Sequence, residues 1–214
     1  MLAKTDLFEA LSATALDQVV ASVTIRDLNR NERIFLEGAP ADAMYVVTDG
    51  RIAMAKRSPD DKESIVALME SGDLFGEMSL FDDEPRSTAA KSLEPSIVLV
   101  VPFAPVRAVL EADPTLLWAM VALLSRRLRT TDANLADSMF LDVTGRTAKR
   151  ILEIAGPNDE FVLPVTQEEL AGMVGASRER VNKALSQFLR LGWLSVADKR
   201  YRIEKRIELE RRAR

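Results

Sequence analysis

The sequence contains no cysteine and no histidine. Without Cys there are no disulfides, no iron–sulfur clusters, no thiolate nucleophile and no Cys-based zinc site. Without His the commonest metal ligand and the commonest general base are missing, which excludes a Ser-His-Asp triad and His-ligated haem. Catalysis would have to rest on carboxylates, Lys or Tyr, and no constellation of these stands out. The expectation is a protein that is not an enzyme and holds no metal. No apolar run approaches the roughly 18 residues that a transmembrane helix needs. The first residues, Met1 to Asp6, lack the apolar core of a secretory signal. Cytoplasmic residence, away from membranes, is expected.

What is present is unevenly distributed. The 214 residues leave room for one large or two modest domains. Residues 1–144 hold 14 Lys and Arg against 23 Asp and Glu, a net charge of −9; residues 145–214 hold 15 against 10, a net charge of +5. Two readings stand: only the last part meets a polyanion, or the charge is scattered between domains without function.

Along the chain, residues 5–22 carry apolar positions at Leu7, Phe8, Leu11, Leu16, Val19 and Val20, which predicts short helices. From Ser22 to Val101, short β-rich runs alternate with turn residues at Glu37–Pro40, Asp49-Gly50, Ser58–Asp61, Ser71–Asp73, Asp82–Pro85 and Glu94-Pro95. Met44–Val47 and Ile52–Met54, flanking Asp49-Gly50, read as a hairpin. Many evenly spaced strands suggest a barrel or jelly roll. Residues 104–111 suit a short helix. Asp113-Pro114, a good cap followed by a residue suited to the first turn, then starts a helix that runs to about Phe140. Leu117, Val121, Leu124, Leu128, Thr131, Leu135 and Ser138 form a heptad seam on it, broken by a polar residue at Thr131. Such a helix either lies on its own barrel or pairs with a copy of itself.

The stretch Gly72 to Thr88 has two readings of its own. Gly76 lets backbone approach a ligand, N–H groups at the start of a short helix around Met78 and Ser79 attract an anion, Arg86 grips phosphate, Ser87 donates, and Glu77 suits a sugar hydroxyl. That describes a pocket for a small sugar phosphate. The alternative is an ordinary turn with Arg86 in a surface ion pair among Asp82, Asp83 and Glu84.

Beyond Gly145 the chain reads helix, short strand (Phe161–Leu163), helix, turn, helix and two-stranded wing. Thr166 with Glu169 is a capping box, Gly175-Ala176 is a tight turn, and Ser177 caps the next helix. This is the spacing of a helix-turn-helix, with Leu170, Val174, Val181, Leu185 and Leu189 fixing the crossing. Arg178, Glu179, Asn182, Lys183 and Gln187 point outward; Arg reads guanine and Glu accepts from cytosine. Thr166 lies near the sugar–phosphate backbone. Double-stranded DNA is the expected partner.

Phe75–Phe81 with Arg86-Ser87 resembles the phosphate-binding cassette of cyclic-nucleotide-binding domains. Arg126–Leu128, Phe140–Arg146 and Val174–Glu179 look like the CRP/FNR family of transcription regulators, in colinear order over essentially the whole chain, and most like its actinobacterial members. The resemblance implies an α+β fold: a cyclic-nucleotide-binding β-roll, a double-stranded jelly roll, over residues 1–112, a long dimerisation helix over 113–141, and a winged helix-turn-helix over 142–214. It implies a homodimer with cAMP as effector. Gly76, Glu77, Met78, Ser79, Arg86 and Ser87 then hold the cyclic nucleotide, Glu77 taking the ribose hydroxyl and Arg127 holding Glu77. Thr131 meets the adenine amine, and Asp132 replaces the Ser or Asn common in relatives. Thr166, Ser177, Arg178, Glu179, Asn182 and Lys183 meet DNA at TGTGA-like half-sites. RNA polymerase is an implied partner, although the loop Gly156 to Glu160 is shorter than the one some relatives use to touch it. Two alternatives remain: a family member that is ligand-independent or uses another effector, and a cyclic-nucleotide-binding regulatory subunit.

Overall fold

The structure is a computed structural model describing residue 2 and residues 5–58, 63–198 and 200–214. The turn expected over Ser58–Asp61 and the wing tip at Lys199 therefore fall largely outside the described residues. Contacts divide the chain into two compact units, Met1–Asp61 with Val66–Arg129 and Lys62–Ile65 with Thr130–Arg214.

The first unit opens with two short helices, α1 (Asp6–Glu9) and α2 (Ala13–Val20). Eight strands follow: β1 (Thr24–Leu28), β2 (Arg33–Phe35), β3 (Ala43–Asp49), β4 (Ile52–Arg57), β5 (Glu63–Met69), β6 (Leu74–Phe75), β7 (Ala89–Ser92) and β8 (Ser96–Pro102), with helix α3 (Met78–Asp82) between β6 and β7. They form two four-stranded sheets, β1-β8-β3-β6 and β2-β7-β4-β5. This corrects the expected hairpin: β3 and β4 are consecutive but lie in different sheets. Asp49-Gly50 turns the corner between them rather than closing a ladder. Gly50 has φ +80°, and a Cβ there would fall 2.7 Å from the Pro95 carbonyl oxygen, so the corner is tight against the turn before β8.

Side-chain alternation explains why β3 is apolar on both sides. Tyr45 and Val47 join Leu28, Ile34, Ile52, Met54, Phe75, Ala90 and Val98, a core drawn from both sheets. Met44 and Val46 join a second core with Phe8, Val19, Val106, Val109, Leu110, Met120 and Leu123, where helices cover the other face of the first sheet. Helix α4 (Phe103–Ala112) supplies part of that cover.

The Asp113 carboxylate accepts from Thr115 N at 3.1 Å and caps a single 3₁₀ turn, Pro114–Leu116, that leads into α5 (Leu117–Phe140). Its 24 residues make a helix about 36 Å long. Two stripes run along it. Met120 and Leu123 are buried, and Arg127 continues that stripe. Leu117, Val121, Leu124, Leu128 and Leu135, the apolar members of the heptad seam, are exposed, Leu128 to 62%. Trp118 at 75% and Phe140 at 82% exposure add to the apolar surface.

In the second unit, α6 (Val143–Ala155) packs against α7 (Gln167–Val174), α8 (Arg178–Arg190) and the terminal helix α9 (Arg206–Arg212). Strands β9 (Glu160–Val162), β10 (Leu194–Ala197) and β11 (Arg200–Ile203) form an antiparallel sheet ordered β10-β11-β9. The α7 capping box is complete: Glu169 N donates to Thr166 Oγ1, and Thr166 N donates to Glu169 Oε2. Gly175, at φ +67°, ends α7 in the left-handed conformation that lets the chain turn into α8. One core position differs from the sequence reading. Leu189 is exposed, and Phe188, buried and stacked on Trp193 at 5.7 Å, takes its place. The helix phase set by Val181 and Leu185 returns to the core three residues after Leu185, not four.

Candidate functional site

In the first unit the site is built at the corner where β6 ends. Gly76 takes φ +75°, and Glu77 follows as the residue preceding α3. Asp83, at φ +54°, ends α3 and turns the chain toward Arg86. The Arg86 backbone is pinned in both directions: its N–H donates to the Ala39 carbonyl at 2.9 Å, and its carbonyl accepts from Gly38 N at 2.8 Å.

The Arg86 side chain turns inward and is only 4% exposed. Nη1 donates to the Gly76 carbonyl and Nη2 to the Ala43 carbonyl, each at 2.6 Å. Its guanidinium lies 4.3 Å from the centre of the Phe35 ring and 5.6 Å from that of Tyr45. Phe35, Tyr45 and Phe75 form a tilted and stacked aromatic group with centroids 5.2–6.2 Å apart. Burial lowers the Arg86 pKa, opposed by Tyr45, Asp42 and Glu77. The surface ion pair with Asp82, Asp83 or Glu84 is overturned; Arg107 takes Asp83 instead, at 2.9 Å.

Glu77 is 1% exposed, and its Oε1 receives Arg127 Nη1. Arg127 Nη2 also donates to the Leu74 carbonyl, so one guanidinium holds both sides of the Gly76 corner. Two buried side-chain atoms here have no hydrogen-bond partner: Arg86 Nε and Glu77 Oε2. One is a cationic donor that calls for an acceptor, the other an anionic acceptor that calls for a donor. A buried charge with incomplete hydrogen bonding is costly. A ligand with an anionic oxygen and a hydroxyl would satisfy both atoms.

Of the other expected ligand residues, Ser79 is buried, while Met78 and Ser87 are exposed and touch through Ser87 Oγ and Met78 Sδ at 3.8 Å. Thr131 and Asp132 are exposed on α5. Phe35 and Tyr45 escaped sequence reading because their apolar, aromatic character marks them only as core; nothing local ties them to an arginine 51 or 41 positions further on.

The second unit presents a different surface. Arg178, Glu179, Arg180 and Lys183 are exposed on α8, and Ser177 Oγ caps that helix by accepting from Arg180 N at 3.4 Å. Thr166 is exposed at the start of α7. Asn182 departs from the outward set: it is half-buried, and its Oδ1 is enclosed without a partner. It follows the buried Val181 and so lies at the margin of the core face. A cleft of about 340 Å³ runs between α8 and the start of α6, lined by Thr144, Glu179, Arg180, Lys183 and Gln187 among others. Asp142, Thr144 and Arg180 are its additional polar residues. Arg180 was legible as the third cation on the helix; Thr144 depends on how α6 packs. Among the described residues, no group of three or more acidic side chains comes together to hold a metal, and no single helix is long and apolar enough to cross a membrane.

The two halves match two described families. Residues 25–113 match the cyclic nucleotide-binding domain, and residues 145–212 match the Crp-like helix-turn-helix domain. Over its whole length the chain is 35% identical to 99% of a Mycobacterium tuberculosis protein named as a CRP-like cAMP-activated global transcriptional regulator. Among solved structures, the Thermus thermophilus catabolite activator protein is 28% identical, with 98% of each chain covered and a TM-score of 0.55. FixK2 from Bradyrhizobium japonicum shares the fold with a TM-score of 0.80 at 22% identity, over 88% of this chain and 96% of its own. With both halves matched in the same order along the full length, the chain belongs to the CRP/FNR family of transcription regulators, carrying a cyclic-nucleotide-binding domain ahead of a DNA-binding helix-turn-helix.

Proposed function

We propose that the protein is a cAMP-responsive, homodimeric transcription regulator of the cytoplasm, with no enzymatic activity. The observation that carries the ligand reading is the pair of orphaned buried atoms, Arg86 Nε and Glu77 Oε2. A cyclic nucleotide brings an anionic phosphate for the first and a ribose hydroxyl for the second. Gly76, Met78, Ser79 and Ser87 complete the phosphate and sugar contacts. Thr131 and, from the partner copy, Asp132 read the base. A carboxylate at Asp132 accepts from the adenine amine and repels the guanine O6, which favours cAMP over cGMP.

The exposed seam of α5, Leu117, Val121, Leu124, Leu128 and Leu135, supports dimerisation, because an apolar stripe of that length is normally covered. In this reading residues 1–112 bind the ligand, 113–141 dimerise, and 142–214 bind DNA. Arg178, Glu179 and Lys183 read a palindromic TGTGA-like operator, with Ser177, Asn182 and Thr166 positioning the helices. Ligand shifts the balance only through its greater affinity for the DNA-competent state. RNA polymerase is the further partner.

The test combines titration calorimetry with cAMP and cGMP and fluorescence anisotropy on a TGTGA-type duplex, for wild type and Arg86→Leu. The reading expects cAMP binding that Arg86→Leu abolishes and DNA binding that cAMP strengthens. Absence of cAMP binding, together with unchanged DNA affinity in Arg86→Leu, would overturn it. Retained cAMP binding without any DNA binding would point to a regulatory subunit.

A further inference from the structure

Helix α6 is fastened at both ends by a single other element, the last helix of the chain. At the start of α9, Arg206 donates from Nε to Asp159 Oδ1 at 2.9 Å, from Nη1 to the Gly156 carbonyl at 3.1 Å and from Nη2 to the Asn158 carbonyl at 2.7 Å. These contacts close over the loop that follows α6. At the other end of α9, Arg212 donates to both carboxylate oxygens of Asp142, the N-cap of α6. Leu209, between the two arginines, is completely buried. The start of α9 thus meets the end of α6, and its end meets the start of α6.

Asp142 also stands where α5 gives way to α6, with only Leu141 and Asp142 between the two helices. A break this short leaves the last carbonyls of one helix and the first N–H groups of the next without helical partners, and such points bend easily. Here charged side chains gather around them, cations at the carbonyl side and the Asp142 carboxylate at the N–H side. Arg146 donates from Nη1 to the Leu141 carbonyl at 2.8 Å and from Nε to the Val174 carbonyl at 2.9 Å. Lys149 pairs with Asp137, on the last turns of α5, at 2.5 Å. Asp142 itself caps α6 by accepting from Gly145 N at 2.8 Å. That cap holds the start of α6 but does not set the direction from which the chain arrives. Arg212 narrows that freedom from the α6 side, because it ties the same carboxylate, on the last residue before α6, to a second element packed along α6. Since α6 packs on α7 and α8, and Arg146 reaches the turn between those two, the orientation of α6 is also that of α8.

We propose that α9 is a splint, and Arg212 its positioning residue, that stiffens the α5–α6 corner so that a change in α5 is delivered to the DNA-reading helix instead of being absorbed at Leu141–Asp142. The stiffening stands on the geometry of residues 130–214 alone. Its consequence for ligand response rests on the function proposed above.

The test uses the full chain as wild type, Arg212→Gln and Arg212→Lys, with three measurements. Hydrogen exchange by mass spectrometry over residues 137–147 is read without ligand; Arg212→Gln should exchange there ~tenfold faster, with strands of the first unit unchanged and Lys restoring part of the protection. Calorimetry should find cAMP affinity unchanged in every variant. Anisotropy should find the ratio of DNA affinities with and without cAMP reduced at least ~fivefold in Arg212→Gln. Unchanged exchange at the corner overturns the proposal. So does an unchanged affinity ratio, or an equal loss of DNA binding with and without cAMP accompanied by a lower melting temperature, which marks a merely structural role. If wild type itself shows no cAMP response, the function proposed above fails, and the exchange result alone decides whether α9 splints the corner.

Discussion

Arg127 on the long helix and Glu77 on the β6–α3 corner form an ion pair in which the carboxylate is 1% exposed and the guanidinium side chain 32% exposed. The same arginine also holds the Leu74 carbonyl. One cation therefore holds the Leu74 backbone on one side of Gly76 and the Glu77 side chain on the other. Arg127→Ala leaves the buried Glu77 carboxylate without its counter-ion. Allowing for the partial exposure of Arg127, the expected loss is about 2–3 kcal/mol of stability. Urea denaturation checks it, and Glu77→Gln in the same background should recover part of the loss, since no charge is then stranded.

Gly76→Ala tests how tightly the corner is built. At φ +75° an L side chain is strained, and its Cβ would fall 2.8 Å from Arg86 Nη1 and 3.4 Å from the Tyr45 ring. Arg86 cannot simply swing away, because two carbonyls and the Phe35 ring hold its guanidinium. The expected result is a chain that folds with about 1–2 kcal/mol less stability and binds cAMP poorly or not at all. Thermal unfolding and calorimetry on the same sample separate the two effects; undiminished cAMP affinity would show that the Arg86 position does not govern binding.

Thr166→Ala and Arg178→Ala should differ in kind. The first removes one half of the α7 capping box and is expected to cost about 1 kcal/mol of stability without altering base preference. The second removes the exposed guanidinium proposed above to read a base edge. It should weaken binding to a matched operator by about 1–3 kcal/mol and relax discrimination at one base pair. Denaturation and anisotropy against a set of single-base operator variants distinguish them.

Asp142 gives a pH dependence of definite sign. The Gly145 N–H, and then the Arg212 guanidinium, hold its pKa below the ordinary aspartate value of 3.8. A carboxyl whose folded-state pKa is depressed contributes stability above its unfolded-state value and loses it as the pH falls through the folded-state value. The Asp142 contribution should therefore be complete above about pH 4 and fade as the solution is acidified further. Stability measured against pH for wild type and Asp142→Asn should show a difference that is constant near neutrality and shrinks in acid.

Much of the local structure was legible before folding. The Asp113 cap, the Thr166–Glu169 box, the Gly175 turn and the wing strands rest on partners two to four residues apart or on alternation within a strand, so the residues themselves carry the signal. Arg86 and Glu77 could be singled out by type and spacing. What holds Arg86 could not, because Ala43 lies 43 positions before it; the Arg127–Glu77 pair, 50 positions apart, is expected from the family resemblance and is present, but no local signal carries it. The misread hairpin at Asp49-Gly50 has the same origin. A turn signal announces that the chain reverses, but not whether the next strand joins the same sheet or crosses to the opposite one.

The amino-acid order alone excluded thiol and imidazole chemistry, divided the chain into an acidic part and a basic part, marked the helix-turn-helix, and drew a seam along the long helix. These follow from composition and from periods of two and 3.6 residues, which are properties of the local chain. Tertiary packing alone decided that Arg86 is buried with one donor unsatisfied, that Phe188 and not Leu189 enters the core, that Asn182 is drawn half inside, and that Arg212 returns across 70 positions to Asp142. Burial and long-range pairing depend on which surfaces meet once the sheets and helices assemble, and no local period encodes that meeting.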